Sequence, residues 1–201
     1  MAITRISQST VKEGLEKFNS FLGGYIPAAG DYEYISTISI PNNGLYNYVT
    51  FNNISGYRHL QLRGRVRNSR TASSQGSSLF ARFNGDAGSN YASFRLLGSG
   101  DGNTYASSYL SVTGFYAAES QSNGAPSQFF TNFVVDILDY TSSSKKKVAR
   151  TITGSSTNTT VDSVALYGSL WNSVSPIYSM TLYDLNYSFI SGTTFNLYGV
   201  K

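Results

Sequence analysis

The apolar positions of this chain change period once. Between residues 10 and 24 they recur every three or four positions, and after Pro27 they alternate or come in short runs separated by turn residues. The first pattern predicts one helix. Thr10-Val-Lys-Glu13 fits a capping box, with Thr10 as N-cap and Glu13 reaching back to it. Val11, Leu15, Phe18 and Leu22 fall on one face, Glu13 and Lys17 make an i,i+4 pair, and Gly23-Gly24 ends the segment. A helix of about three turns is marginal alone, so its apolar stripe needs a surface to dock on. It reads either as a lid over the end of a sheet core or as an anchor on another subunit, bundled with symmetry mates.

The second pattern predicts strands near 32–40, 46–52, 57–67, 78–84, 91–98, 107–116, 128–140, 147–153, 160–171, 177–186 and 194–200. Between them lie Ser, Gly and Asn clusters with turn chemistry, such as PNNG at 41–44, GSGDGN at 98–103 and SQSNGAPS at 120–127. There is no fixed-period repeat and no βαβ alternation. The expected fold is therefore all-β, a short N-terminal segment over 1–30 followed by an antiparallel β-sandwich over 31–201. Within the 57–67 run, Leu60, Leu62, Gly64 and Val66 share one face, and Arg63, Arg65 and Arg67 share the other with His59 and Gln61. Val164, Leu166 and Leu170 make another one-sided apolar face. Residues 129–140 are apolar on both faces and predict a central, doubly covered strand.

Composition adds a role to this architecture. Aromatic residues are plentiful, with 16 Tyr and 12 Phe, while charged residues are only 13% of the chain. Aromatics suit strands, and a surface poor in charge resists association weakly. The net charge of +4 is too mild for a nucleic-acid binder, which carries denser basic clusters. The absence of cysteine excludes disulfides and thiolate metal sites. The opening MAITRISQST has no apolar signal-like region, and no stretch reaches the roughly 18 apolar residues of a membrane span, so neither secretion nor membrane insertion is expected.

Groups for catalysis are scarce. His59 is the only histidine and lies on the polar face of a strand, with no G-x-S-x-G elbow beside it. Asp136 and Asp139 are three apart, which puts them on opposite faces of a strand and rules out a facing carboxylate pair between them. The Phe83–Tyr91 segment, with Asn84-Gly85 at its tip, reads as a hairpin held by Asp86 and Asn90. A Ca²⁺ site there is the alternative, although the acidic repeat of an EF-type loop is missing. Lys145-Lys-Lys147 reads as a solvated loop tip. Three cations in a row, Arg63, Arg65 and Arg67, repel unless paired, so they are expected to meet Asp136 and Asp139, a subunit interface, nucleic acid or an acidic glycan. Neither an enzymatic activity nor a cofactor is expected.

Several short motifs, taken in order, resemble a set of tailed-bacteriophage virion proteins of the tail-fibre or structural kind. They are Tyr57-Arg-His-Leu-Gln-Leu-Arg-Gly-Arg65, Phe83-Asn-Gly-Asp86 with Gly88-Ser-Asn-Tyr91, Val135-Asp-Ile-Leu-Asp-Tyr140, Gly168-Ser-Leu-Trp171 and Phe195-Asn-Leu-Tyr-Gly-Val-Lys201. The resemblance covers roughly residues 31–201. It implies a jelly-roll sandwich on the virion surface, a homotrimer, other virion proteins as partners, and no active site to carry over. A tail fibre or appendage is the leading expectation, with the 11–22 stripe on the particle and the β-domain facing the host. A capsid decoration protein is the alternative, and a polysaccharide-cleaving enzyme the third. Receptor binding to a host-surface glycan would use Tyr105, Tyr109 and Asn123 in the Tyr- and Asn-bearing loops, because aromatic faces stack on sugars. Incubation with host polysaccharide is expected to release no reducing ends; their release would establish the enzyme reading instead.

Overall fold

The β pattern is realised strand by strand in a computed structural model that describes residues 32–72, 77–155 and 162–201. The predicted helix and its stripe of Val11, Leu15, Phe18 and Leu22 lie outside those residues. Tyr32–Lys201 form one compact unit. Its strands are β1 (Tyr32–Ser39), β2 (Tyr48–Phe51), β3 (His59–Asn68), β4 (Ser77–Phe83), β5 (Tyr91–Ser99), β6 (Thr104–Val112), β7 (Phe115–Ser122), β8 (Thr131–Ile137), β9 (Lys147–Ser155), β10 (Ser163–Trp171), β11 (Met180–Asp184) and β12 (Thr194–Val200). There is no helix among the described residues. The single run expected over 107–116 is two strands. The chain breaks at Thr113-Gly114, and β7 leaves the sheet of β6 for another.

Eight strands pair in the order β1-β12-β3-β8-β9-β10-β5-β6, and four in the order β2-β11-β4-β7. Every pairing is antiparallel except one. The last two residues of β3, Arg67 and Asn68, pair in parallel with Gln121 and Ser122 of β7, and this join makes the sheet mixed rather than wholly antiparallel. From there β7 runs against β8, β9, β10 and β5, so the four-stranded layer covers one face of the larger one.

Alternation within each strand fills the space between. Leu60, Leu62 and Val66 are buried as expected, and Phe133, Val135, Ile137, Ala149, Ala165, Tyr167 and Trp171 meet them from β8, β9 and β10. Opposite, β4, β11 and β7 supply Leu79, Ala81, Phe83, Met180, Leu182, Phe115 and Ala117. Gly64 sits among larger residues because its register partner Phe133 lays its ring where a Cβ would stand. One expectation fails here, and one face that the pattern left unassigned turns outward. β8 is central in the pairing order but is covered on one face only: Thr131, Phe133, Val135 and Ile137 are buried, while Asn132 is exposed and Val134 half-buried. In β10 the apolar face of Val164 and Leu166 points away from the core, and the buried partners are Ala165, Tyr167, Ser169 and Trp171. Beneath the crossing β7, β10 places small and aromatic residues, and its Val164 and Leu166 are left outside.

The Lys145–Lys147 run is also not all solvated. Lys147 is buried, and its Nζ donates to the carbonyls of Ser142, Lys145 and Val174 at 2.6, 2.7 and 3.1 Å, which closes the 141–147 turn onto the segment after β10. Burial lowers its pKa below the usual lysine range. Lys147→Met keeps the aliphatic stem but removes the donor from three carbonyls. It is expected to cost about 2–3 kcal/mol of unfolding free energy, read as a lower midpoint in a urea melt. An unchanged midpoint would show that the ammonium contributes nothing to the fold.

Candidate functional site on the open face of the eight-stranded layer

The eight-stranded layer has a second face that no described strand covers. The register lines up one row across it: Arg63 opposite Val134, then Ile152, Leu166, Leu96 and Ala106. Phe94 and Val164 flank that row. Leu96 is 61% exposed, Val164 62%, Ile152 57% and Phe94 57%, and Val148, Leu110 and Leu138 are exposed to a similar degree. No charged residue of β10, β5 or β6 points to this side; on the adjoining β9 and β8, Arg150 and Asp136 do, paired with each other at 3.0 Å. Phe94, Leu96, Ile152, Val164 and Leu166 together expose on the order of 500 Å² of apolar surface, at the upper end of the roughly 300–600 Å² of the largest patch on an ordinary monomer. Shallow depressions of 730, 440, 550 and 510 Å³ open onto the same face.

The other part of this face, over β1, β12 and β3, is aromatic and cationic. Arg63 lies over the rings of Tyr32 and Tyr198 at 5.3 and 5.1 Å, and its Nε donates to Gln61 Oε1. Arg65 lies over Phe130 at 5.4 Å, and its Nε donates to the Gly192 carbonyl at 3.0 Å. Arg67 shares the Phe130 ring with Arg65, at 5.9 Å, but does not stand on the open face with Arg63 and Arg65. It is buried where β3 crosses to β7, with its guanidinium on the carbonyls of Ser122, Asn123 and Ala125. The expected pairing of these arginines with Asp136 and Asp139 is therefore corrected. Asp136 accepts from Gln61 and Arg150, and Asp139 pairs with Lys145 at 2.8 Å and Arg58 at 3.6 Å. The reason is local. Arg150 is the direct cross-strand neighbour of Asp136, and Asp139 sits past the strand end with φ of 47°, turned toward its own loop.

The residues expected to hold a glycan are not brought together. Tyr109 stacks on Tyr116 with ring centroids 4.2 Å apart, so one of its faces is taken. Tyr105 is exposed, and its hydroxyl donates to Asp101 at 3.2 Å; hydrogen bonds from Asn103, and then from Ser99 and Tyr105, hold the Asp101 carboxyl down to about 2. The Asn123 carbonyl serves Arg67. Among the described residues no hydrogen bond or ring contact joins the three. At 83–91 the expected tight turn held by Asp86 and Asn90 is present, but it does not close a hairpin: β4 pairs with β7 and β11 and β5 with β6 and β10, so the turn carries the chain from one layer to the other. Asn84 and Gly85 both have positive φ, 53° and 69°. Asp86 accepts from Trp171 Nε1 at 2.7 Å, the Gly88 amide at 2.9 Å and Asn90 Nδ2, which uses its oxygens inside the turn. Among the described residues no group of three acidic, His or Cys side chains is placed to hold a metal ion.

One carboxylate lies between the layers. Glu119 of β7 accepts from Tyr167 Oη at 2.9 Å and Arg95 Nη1 at 3.1 Å, which ties β7 to β10 and β5. Burial outweighs these bonds and holds its pKa above the ordinary glutamate range. His59 is likewise structural, its Nδ1 accepting the Asp139 amide at 2.9 Å.

The open apolar face is what the pattern of residues did not reveal in advance. Its only signal in the sequence is the lack of any Lys, Arg, Asp or Glu on one parity of 92–110 and 164–170. Comparison with protein-family models, with curated proteins and with solved structures finds no match for this chain.

Because the folded state raises the Glu119 pKa, the folded protein holds that proton more tightly than the unfolded chain does. The associated stability is present below the ordinary glutamate pKa and is lost as pH rises through the raised value. Glu119→Gln is expected to remove this slope in melts between pH 4 and 7. A variant slope equal to that of the parent would place the titrating group elsewhere.

Proposed function

We propose that this protein is a structural assembly and binding subunit that buries the open face of its large sheet against a partner copy. In the setting that the motif resemblance implies, it is a phage virion surface protein, a tail-fibre or appendage subunit forming a homotrimer. The jelly-roll description belongs to the same proposal, as does the absence of catalysis.

The observation that carries the reading is the apolar field of Phe94, Leu96, Ile152, Val164 and Leu166, free of charge across β10, β5 and β6. A monomer keeps such a surface wet at a cost of roughly 25 cal/mol per Å². On the order of 500 Å² of apolar surface is more than half of the ~800 Å² that each partner contributes to a stable interface. Aliphatic side chains flanked by exposed tyrosines and a cationic rim match the apolar core and polar border of an interface. Capsid decoration remains the second reading. It shares this face and differs in location and copy number on the particle, which imaging of the assembled virion would show.

Light scattering at micromolar concentration is expected to give a multiple of the 21.9 kDa chain mass. Leu96→Lys with Leu166→Lys places unpaired charges in the contact. The pair is expected to weaken association by about 3 kcal/mol, roughly 100-fold, with the melting temperature of the fold little changed. A parent protein that runs as a monomer at every concentration tested would overturn the reading.

A further inference from the structure

The arginine-bearing end of the same face has a chemistry that the apolar field does not explain. Arg63 and Arg65 stand two apart on β3, on one side of the sheet, and each uses only its Nε within the fold. Their terminal nitrogens meet no acceptor among the described residues, and neither arginine pairs with a carboxylate there. The rings of Tyr32, Tyr198 and Phe130 hold the guanidinium planes in place without neutralising them. Like charges this close are unfavourable unless a partner compensates them. The register then sets amides and a hydroxyl around them: Asn196 is opposite Arg63, and Thr194 and Asn132 flank Arg65. All five line the 730 Å³ depression, together with Val134, Ile152, Gly154 and Val164.

We infer that this depression is a binding site for an acidic carbohydrate, a chain of sugars carrying carboxylates. Planar guanidinium forks with free terminal N–H groups match carboxylate oxygens two at a time. Asn132, Asn196 and Thr194 supply both donors and acceptors, which sugar hydroxyls need and a bare anion does not. The apolar side chains of Val134, Ile152 and Val164 in the lining suit the C–H face of a pyranose ring. Two cations and three neutral polar groups are too few positive charges for a phosphodiester backbone, whose affinity comes from many phosphate contacts. The site spans β12, β3, β8 and β9 and meets the apolar field at Ile152 and Val164, so a partner copy on that field must leave this edge open to the ligand.

The test titrates the full-length protein with oligogalacturonate, with neutral dextran oligomers of the same length and with a single-stranded oligonucleotide, by calorimetry at about 0.15 M salt. Oligogalacturonate is expected to bind and dextran to bind at least about tenfold more weakly. The double variant Arg63→Gln with Arg65→Gln is expected to lose about tenfold or more in oligogalacturonate affinity, with its light-scattering mass unchanged. Arg65→Lys alone, which keeps the charge without the fork, is expected to lie between parent and double variant. Equal binding of dextran and oligogalacturonate, or no binding of either, overturns the inference, as does tighter binding of the oligonucleotide. A double variant whose mass falls instead would make the depression a contact between copies and would also overturn it.

Discussion

The two layers of this protein are joined by the burial of a polar strand end, and the rest of the architecture follows from how that end is satisfied. β3 begins as an ordinary member of the large sheet, with Leu60 and Leu62 inward. At Arg67 and Asn68 it passes between the layers and pairs with β7. A buried guanidinium and a buried amide there are tolerable only if every donor finds an acceptor. Arg67 finds the carbonyls of Ser122, Asn123 and Ala125, and its own amide donates to Thr193 Oγ1 at 3.1 Å. Asn68 donates to Ser120 Oγ and to Asp184 Oδ2. Asp184 in turn accepts from Ser77, Ser120, Asn68 and the amides of Asn186 and Tyr187. One neutral set of donors thus closes around a buried carboxylate and ties β3, β4, β7 and β11 into a single joint.

That joint has a consequence for the surface. With β7 across the inner side of β8, β9, β10 and β5, no strand among the described residues covers their outer side. The interior then takes the residues that fit under a crossing strand: Ala165, Tyr167, Ser169 and Trp171 from β10, and Ala149, Thr151 and Thr153 from β9. Tyr116 and Tyr167 stack with planes 5° apart, and Glu119 and Arg95 complete their polar edge. Aliphatic side chains of the other parity have no place inside. They form the open face, and their exposure is a by-product of the same geometry that built the core. Arg63 and Arg65 share that outer side because they share the parity of the open row, whereas Arg67, only two residues on, is already past the crossing.

What the sequence determined by itself is the class of structure and the positions of its strands. Period-two patterning and Ser/Gly/Asn punctuation are local, and they placed nearly every strand within a few residues. The Asn84-Gly85 turn was legible for the same reason, since only residues tolerant of positive φ fit there. What only the tertiary structure decided is which face of each strand is the inside. Alternation says that Val164, Leu166 and Leu170 share a side; it does not say whether that side meets the core or water, because β7, the strand that covers the inner side of β10, is far away in the chain. Pairing partners are equally non-local. Asp136 met Arg150 and not an arginine of β3, since the β8–β9 register sets those two directly opposite. Arg67 left its expected row because the strand crossed between layers, an event with no periodic signature. Local pattern is written residue by residue, but burial is a property of what lands on top, and that depends on contacts between segments distant in the chain.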